Sequence, residues 1–185
     1  MTSKIIDMDN NGLNFYNSNP DINDYRNTGV GFLVNDQSMI TATDFEEVDG
    51  RIATIKIHSK ATKQTINLIG CYAPTESSND EVSKEKFYLK LKDTIKKLKL
   101  NKLPILILGD YNCRLSQDLH TYYPNIIGKA IKLETETSEN GMKLINLCKT
   151  LNLRVMNSFT TKPEHRTHTW VHPKTQMGHV IDLVI

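Results

Sequence analysis

The hydrophobic pattern of this chain is clearest from Leu103 to Gly109, an apolar run of β-strand length. The run has no polar alternation, which is typical of a strand buried on both faces inside a layered sheet. Asp110 and Asn112 follow it, and residues two apart in extended geometry point to the same side. We therefore expect a carboxylate and an amide to lie together at the strand end. An ordinary polar turn is the alternative, because Gly, Asp and Asn are common turn residues.

Three further strands are predicted before this run, with no helix between them. They cover residues 28 to 34, 51 to 58 and 65 to 72. Asp49-Gly50 is a hairpin-type turn signal, and Ala73-Pro74 ends the third strand. Consecutive strands predict an antiparallel meander. Residues 1 to 25 show no clear period, so we interpret them as a poorly defined N-terminal segment before a domain at residues 26 to 185.

Two segments have the period of a helix. In the first, apolar residues recur at spacings of four, four and three, at Phe87, Leu91, Ile95 and Leu98. They predict a helix of about five turns, and Ser78 to Glu81 has the form of a capping box. Residues 138 to 151 predict a second helix, with one apolar face formed by Leu144, Leu147, Cys148 and Leu151. Residues 113 to 136 between them form a long connection without strong periodicity.

Three short strands are predicted after the second helix. They cover residues 153 to 157, 167 to 171 and 179 to 185, and turn signals lie at His172 to Lys174 and at Met177-Gly178. The predicted order is three strands, helix, strand, helix and three strands. This order favours an α/β or α+β sandwich of two sheets with helices outside.

The composition is that of a globular protein. The chain has 185 residues, of which 38% are hydrophobic and 24% charged, and this excludes a disordered chain. The three cysteines are an odd number without a close pair, which argues against a disulfide framework and for a reducing compartment. A net charge of +2 neither requires nor excludes nucleic acid as a partner.

Several residues that could have a chemical role also have a structural interpretation, which we prefer. Trp170 is predicted to be a core residue rather than a base-stacking platform, because aromatic side chains are usually buried. Asp182 lies in an apolar strand and is predicted to be a buried carboxylate that needs a partner. The histidines at 165, 168, 172 and 179 fit no zinc pattern and are interpreted as surface or loop groups.

Five separated fragments carry a resemblance to a known family. They are Cys71 to Thr75, Ile107 to Asn112, Glu139 to Gly141, Thr167 to Trp170 and Ile181 to Val184. In this order they resemble the endonuclease/exonuclease/phosphatase superfamily, in particular the endonuclease domain of LINE-type (non-LTR) retrotransposons and the craniofacial development protein 2-like proteins. Gly29 to Phe32 and Arg51-Ile52 fit the same subgroup.

The resemblance implies a four-layer α/β sandwich, DNase I-like, with two mixed and mainly antiparallel sheets flanked by helices. It also implies hydrolysis of nucleic acid phosphodiesters, with DNA as the favoured substrate and Mg²⁺ or Mn²⁺ as cofactor. Asp110 is implied to orient or deprotonate the attacking water. Asn112 is implied to donate to the developing oxyanion, Tyr72 to contact the phosphate, and Asp182 to orient a catalytic histidine.

Substrate-binding roles are implied for Thr75, Asn140 and Thr169. For Asn140 a helix cap is the alternative, because Asn before Gly near a helix start is typical of a cap. The metal ligands stay unassigned. The family pattern has an Asn in a first strand and a Glu soon after it, and we find neither. Acids are present at positions 7, 9, 21 and 24, but not in a predicted strand with that pattern, and Glu46 and Glu47 lie too far along.

The histidine segment that follows the last strand in the family is also not found. We therefore expect a chain truncated at both ends, and weakly active or inactive by itself. The alternatives are a phosphodiesterase or phosphatase acting on lipid or inositol phosphates, and a non-catalytic binding fragment. A piece of a longer polyprotein with reverse transcriptase is a further alternative. The expected location is intracellular, nuclear or cytoplasmic, without a membrane partner.

Overall fold

The computed structural model describes residues 4–9, 13–18, 29–35, 39–76, 81–130, 134–161 and 168–185. The chain divides into two compact units. The first unit combines Met1–Tyr72 with Asp93–Ile107, and the second unit combines Ala73–Lys92 with Leu108–Ile185. No helix in the described part of the chain is long and apolar enough to cross a membrane.

The first unit contains a three-stranded antiparallel sheet. It consists of β1 (Lys4–Asp9), β2 (Leu13–Asn17) and β3 (Gly31–Asn35), in that order. Only β3 was expected from the sequence. Polar residues interrupt the apolar alternation in β1 and β2. These strands are therefore defined by their pairing with neighbouring strands and not by a hydrophobic period in the sequence. Asp7 and Asp9 therefore lie in a strand after all, whereas the acids at 21 and 24 lie outside the described residues.

A second sheet has five strands, in the order β10 (Asp182–Val184), β7 (Ile105–Asp110), β6 (Gln64–Tyr72), β5 (Ile52–Ser59) and β4 (Ile40–Asp49). The predicted meander is confirmed for β5 (Ile52–Ser59) and β6 (Gln64–Tyr72), which pair antiparallel. No pattern in the sequence predicted β4 (Ile40–Asp49), because acidic residues break its alternation. Its pairing with β5 contains two register shifts. Asp49 Oδ1 accepts a hydrogen bond of 2.8 Å from the backbone N–H of Arg51 and closes the predicted hairpin turn.

The predicted first helix and central strand are α1 (Glu81–Lys99) and β7 (Ile105–Asp110), and each contributes residues to both units. α1 buries the predicted residues Phe87, Leu91 and Ile95, whereas Leu98 is half-buried. The capping box at 78 to 80 lies outside the described residues.

β7 runs beside β6 in the same direction. The backbone N–H of Asn67 donates to the carbonyl of Pro104 at 2.9 Å, and the backbone N–H of Ala73 donates to the carbonyl of Asp110 at 2.8 Å. Both strands thus advance together between the two hydrogen bonds, as in a parallel pair. A parallel pair needs a crossover connection, and α1 supplies it in the chain. The five-stranded sheet is therefore mixed.

The two sheets of the first unit pack through aromatic side chains. Tyr16, Val34 and Ile55 are buried at the centre of this cluster. The ring of Phe45 lies 5.7 Å from that of Tyr16 and 6.4 Å from that of Phe32, between ring centroids. Partly buried residues that complete the cluster are Ile40, Ala42, Ile57 and Leu68.

The second unit contains the end of β7, which pairs antiparallel with β10 (Asp182–Val184). Its helices are α2 (Leu119–Tyr122) and α3 (Glu139–Leu151). The predicted second helix is confirmed, and its predicted apolar face is buried: Leu144, Leu147, Cys148 and Leu151. A two-stranded hairpin consists of β8 (Trp170–Val171) and β9 (Gly178–His179).

Three predictions for the last part of the chain were wrong. Residues 153 to 157 do not form a strand, because Met156–Phe159 is a 3₁₀ helix. The strand predicted at 179 to 185 is divided between β9 and β10, which pair with different partners. Trp170 is not a core residue. It lies on the short hairpin and is 41% exposed.

Gly70 on β6 provides a test of the packing in the first unit. A Cβ at this position would lie 2.6 Å from Val30 Cγ1 and 3.0 Å from Phe32 Cζ. We expect Gly70→Ala to lower the free energy of unfolding by about 1–3 kcal/mol, because overpacking forces the neighbours to shift. Gly29→Ala is the control, because a Cβ there meets nothing within 4 Å. Urea denaturation measures both variants, and equal stability would show that the sheets do not pack as described.

Candidate active site

Asp110 is the last residue of β7 and faces Asp182 of β10 in the antiparallel register. Its Oδ1 accepts a hydrogen bond of 2.7 Å from the backbone N–H of Asn112. The expectation that both side chains share one face of an extended strand was wrong, because Asn112 has a φ of +44°. The chain leaves the strand at Asp110 in an Asx-type turn. The turn therefore joins these two residues through the backbone N–H of Asn112.

The environment of Asp110 opposes its ionisation. Burial raises the pKa of this carboxyl above its ordinary value, and the nearby charge of Asp182 acts in the same direction. The hydrogen bond from the Asn112 N–H acts against both effects. Like charges directly opposite each other on paired strands are also destabilising. A carboxylate held in this way is suited to accept a proton.

The structure corrects the prediction that Asp182 is buried within a strand. It is exposed and is the first residue of β10. Its carboxylate has no hydrogen bond or ion pair with any residue that the structure describes. A role in orienting a histidine stays a prediction.

Side chains from two other segments hold the backbone of β10. Thr169 Oγ1 accepts from the N–H groups of Ile181 at 3.1 Å and Asp182 at 3.0 Å. Asn157 donates through Nδ2 to the carbonyl of Asp182 at 3.4 Å, and its Oδ1 accepts from Val184 N–H at 2.6 Å. Asn157 thus bonds to β10 as a neighbouring strand would. Sequence reasoning missed it, because nothing in the local pattern indicates a partner 25 residues away.

Asn112 lies at the start of the segment that follows β7. Its Nδ2 donates to the carbonyl of Ala73 at 2.8 Å, which uses one of the two amide hydrogens. The second amide hydrogen remains for the predicted contact with an oxyanion. Thr75 is exposed two residues beyond Ala73, and its role as a substrate contact stays a prediction.

Tyr72 belongs to the first unit, where Arg51 contacts it in two ways. The guanidinium carbon of Arg51 lies 5.1 Å from the centroid of the Tyr72 ring, a cation–π contact. Arg51 Nη1 also donates to the Tyr72 carbonyl at 3.2 Å. A positive charge therefore accompanies the tyrosine that was predicted to contact phosphate. Sequence reasoning used Arg51 only for the family resemblance and did not count it as a site residue.

Asn140 and Thr169 were predicted to bind substrate. Asn140 has 0% exposure, so its side chain supports neighbouring loops and the predicted direct contact is corrected. The cap alternative was also wrong, because Ser138 is the N-cap of α3 and its Oγ accepts from Gly141 N–H at 3.3 Å. Thr169 is exposed, although its hydroxyl oxygen already accepts from the backbone of β10. Its contact with substrate stays a prediction.

Asp110 and Asp182 face each other in the strand register, and Asp182 is the exposed carboxylate of the two. Among the described residues no group of three or more His, Cys, Asp or Glu side chains is arranged to hold a metal. Mg²⁺ often keeps several waters and is held by only one or two carboxylates together with substrate phosphate. A facing pair of carboxylates suits such an ion, because its charge would relieve their repulsion. Glu46, in the first unit, is instead paired with Lys97 at 2.7 Å.

Comparison with known proteins identifies the fold. No protein-family profile matches the sequence, and no curated protein is detectably similar to it. The structure is similar to the endonuclease domain of TRAS1, a telomere-specific non-LTR retrotransposon, with a TM-score of 0.60 and 13% identity. The chain therefore shares the fold of this endonuclease domain. This confirms the predicted α/β class and DNase I-like fold.

Two structures of NExo show the same fold. The 3′-5′ exonuclease from Neisseria meningitidis matches with a TM-score of 0.53 and 15% identity. The 3′ phosphatase form bound to a product DNA hairpin matches with a TM-score of 0.52 and 14% identity. The matches cover 94% of this chain and 66% of the TRAS1 domain, and 84% of this chain and 61% of each NExo chain. The chain thus spans less than two thirds of the length of these proteins.

Because the pKa of Asp110 is raised, its ionised carboxylate is predicted to lower the free energy of unfolding at neutral pH. The folded state holds the proton more tightly than the unfolded state, so stability falls as pH rises from the ordinary carboxyl pKa through the folded pKa. Asp110→Asn keeps an oxygen for the Asn112 N–H and removes the charge. We expect this variant to be more stable than the wild type at neutral pH, with a difference that shrinks at acid pH.

Thermal unfolding over a series of pH values measures this difference. Asp93→Asn is the matched control, because Asp93 is an exposed carboxylate on α1. Its effect on stability at neutral pH should be small compared with that of Asp110→Asn. An Asp110→Asn variant that is less stable than the wild type at neutral pH would contradict the assigned electrostatics.

Proposed function

We propose that this chain is a nuclease-type domain that hydrolyses phosphodiester bonds of nucleic acid with a divalent cation. The observation that carries the proposal is the half-buried Asp110, whose pKa is raised and which faces Asp182 at the end of a central strand. Support also comes from solved structures of this fold, which include a retrotransposon endonuclease domain and an exonuclease. Because the sequence identity to these proteins is low, the proposed activity rests on the residues of the site and not on the similarity.

Each group at the site has a chemical task in this proposal. Asp110 accepts the proton of the attacking water, for which its raised pKa is an advantage. The second amide hydrogen of Asn112 donates to the negative charge that develops on the phosphate. Asp182 would hold Mg²⁺ or Mn²⁺ together with the substrate phosphate, and the ion would supply charge neutralisation at the phosphate when bound.

An exposed aromatic residue favours nucleic acid among the possible phosphodiesters. The ring of Trp170 lies 5.4 Å from that of His172 and 5.6 Å from that of His179, between centroids. His179 Nδ1 is 2.8 Å from Glu134 Oε1, which fixes one side of the cluster. Aromatic side chains on which bases stack are typical of proteins that bind single strands. The hairpin thus offers a surface for an unpaired base.

We expect the rate to be low. The site contains two facing carboxylates, and no group of three or more possible metal ligands is found among the described residues. Loss of one member of a catalytic set usually costs orders of magnitude in rate. A slow and metal-dependent reaction is therefore the specific expectation, and the assay must follow long incubations.

Nicking of a supercoiled plasmid tests the proposal. We expect slow nicking with Mg²⁺ or Mn²⁺ and none with a chelator. Asp110→Asn should reduce the rate by about 10²-fold or more, as expected for loss of a general base. Asn112→Ala should reduce it by about 10²–10³-fold, because a donor to the transition state is lost. Asp93→Asn should nick as the wild type does, since it removes an exposed carboxylate outside the site.

The comparison between wild type and Asp110→Asn decides the outcome. If the two proteins nick at the same rate, the activity does not come from this site and the proposal is wrong. An absence of nicking in both, together with no stabilisation of the wild type by Mg²⁺ in thermal unfolding, would equally overturn it. Stabilisation by Mg²⁺ should be lost in Asp182→Asn.

The exposed Trp170 gives a separate prediction for binding. Trp170→Ala should weaken binding of a single-stranded oligonucleotide by about 1–3 kcal/mol, the usual value for one stacked base. Fluorescence anisotropy in the presence of a chelator measures affinity without cleavage. Tyr122→Ala is the control, because Tyr122 on α2 is an aromatic residue with 69% exposure outside the hairpin. Equal affinities of wild type and Trp170→Ala would exclude the hairpin as the binding surface.

A further inference from the structure

Asn140 holds the two loops that surround the end of β7. Its Nδ2 donates to the carbonyl of Pro74 at 2.8 Å and to the carbonyl of Asn112 at 3.2 Å. One side-chain amide therefore bonds to both segments that carry proposed site residues. The side chain is fully buried, so no water competes for these bonds.

The backbone of Asn140 is itself fixed on both sides. Its N–H donates to Glu76 Oε1 at 2.7 Å, and its carbonyl accepts from the Tyr88 hydroxyl at 2.9 Å. Lys84 stabilises this region, because its Nζ lies 2.8 Å from Glu139 Oε2 and 3.5 Å from Glu76 Oε2. The Asn140 amide group is thus presented in one direction, with little freedom to move.

The turn at Asn112 needs such a support. Its φ of +44° is a left-handed conformation that costs free energy for any residue with a Cβ. The bond from Asn140 Nδ2 to the Asn112 carbonyl fixes the direction of that peptide, and with it the direction of the Asn112 side chain. A second bond connects the same two loops, from Asn112 Nδ2 to Ala73 O.

From these contacts we infer that Asn140 is a positioning residue, which sets the geometry of the Asp110 to Asn112 turn against the loop at Ala73 to Glu76. This inference rests on the proposed function for its effect on catalysis. It assigns to Asn140 an indirect role in place of the substrate contact that the sequence predicted.

The two donor hydrogens of the amide explain the residue type. Asn140 Oδ1 is buried and has no hydrogen-bond partner among the described residues, so the loops use only the NH₂ group. An aspartate at this position has the same shape but no donor when ionised, and its charge would lie near that of Glu76. The site therefore requires a neutral side chain with two N–H groups on one atom.

Two variants test the inference. Asn140→Asp removes both donors with the shape kept. Tyr88→Phe keeps the ring and removes only the hydroxyl that holds the Asn140 carbonyl, so it is the milder change and should fold normally. Tyr123→Phe is the control, because Tyr123 lies at the end of α2 and its ring faces Lys149. Each variant is purified as the folded full chain and its folded fraction is measured by circular dichroism.

The first measurement is amide hydrogen exchange followed by NMR. Ala73 N–H donates to Asp110 O and Asn112 N–H donates to Asp110 Oδ1, so both amides report on the turn. In Asn140→Asp we expect these two amides to exchange about tenfold faster or more, while Leu144 and Ile145 in α3 stay protected. Unchanged exchange at Ala73 and Asn112 would overturn the inference. Exchange does not require activity, so this result stands even if the nuclease proposal fails.

The second measurement separates kcat from KM in the nicking reaction. We expect kcat per folded molecule to fall by about 10–100-fold in Asn140→Asp and less in Tyr88→Phe, with KM within about twofold. A residue that only stabilised the fold would lower the folded fraction and leave kcat of the folded molecules unchanged. The inference would be overturned if folded Asn140→Asp had the kcat of the wild type. If Asp110→Asn were inactive in the same assay, the proposed function would remain intact.

Discussion

The candidate site depends on the hydrogen bonds that connect the end of β7 to the loop after β6. The backbone N–H of Ala73 donates to the carbonyl of Asp110, and the side-chain amide of Asn112 donates to the carbonyl of Ala73. The side-chain amide of Asn140 donates to the carbonyls of Pro74 and Asn112. Each bond joins segments that are far apart in sequence. Without them a carboxylate and an amide at a strand end are ordinary turn residues. With them, the same residues have fixed positions, which is the property that a reactive site needs.

Stability and the proposed function oppose each other at Asp110. A core strand ends in a carboxylate that is half-buried and faces a second carboxylate, and both conditions are unfavourable for the folded protein. Natural proteins retain such costs mostly where the charge is used. The ion pairs elsewhere in the second unit are of the ordinary favourable kind, as between Lys84 and Glu139, where each partner shifts the pKa of the other towards the charged form.

Much of the fold was predictable because its strongest elements carry their own signal. The stripe on α1 and the apolar run before Asp110 are local patterns, and both elements were predicted correctly. β4 and the N-terminal strands were missed, because their polar residues hide the alternation and their pairing partners define them. For the same reason the sequence predicted roles for Asp110 and Asn112, which stay predictions, but indicated neither the buried contacts of Asn140 nor those of Asn157. Their hydrogen bonds go to carbonyl groups that lie far away in sequence.

The attachment of Asn157 to β10 also has a consequence for self-association. Among the described strands β10 lies at an edge of its sheet, and an edge strand exposes backbone groups that can template the addition of a foreign strand. Asn157 already engages the carbonyl of Asp182 and the N–H of Val184 on that strand. The Asn157 side chain thus occupies backbone groups that a neighbouring strand would otherwise bind, and it does not extend the sheet. An incoming chain must first displace this amide, so the short final strand is guarded against edge-to-edge aggregation.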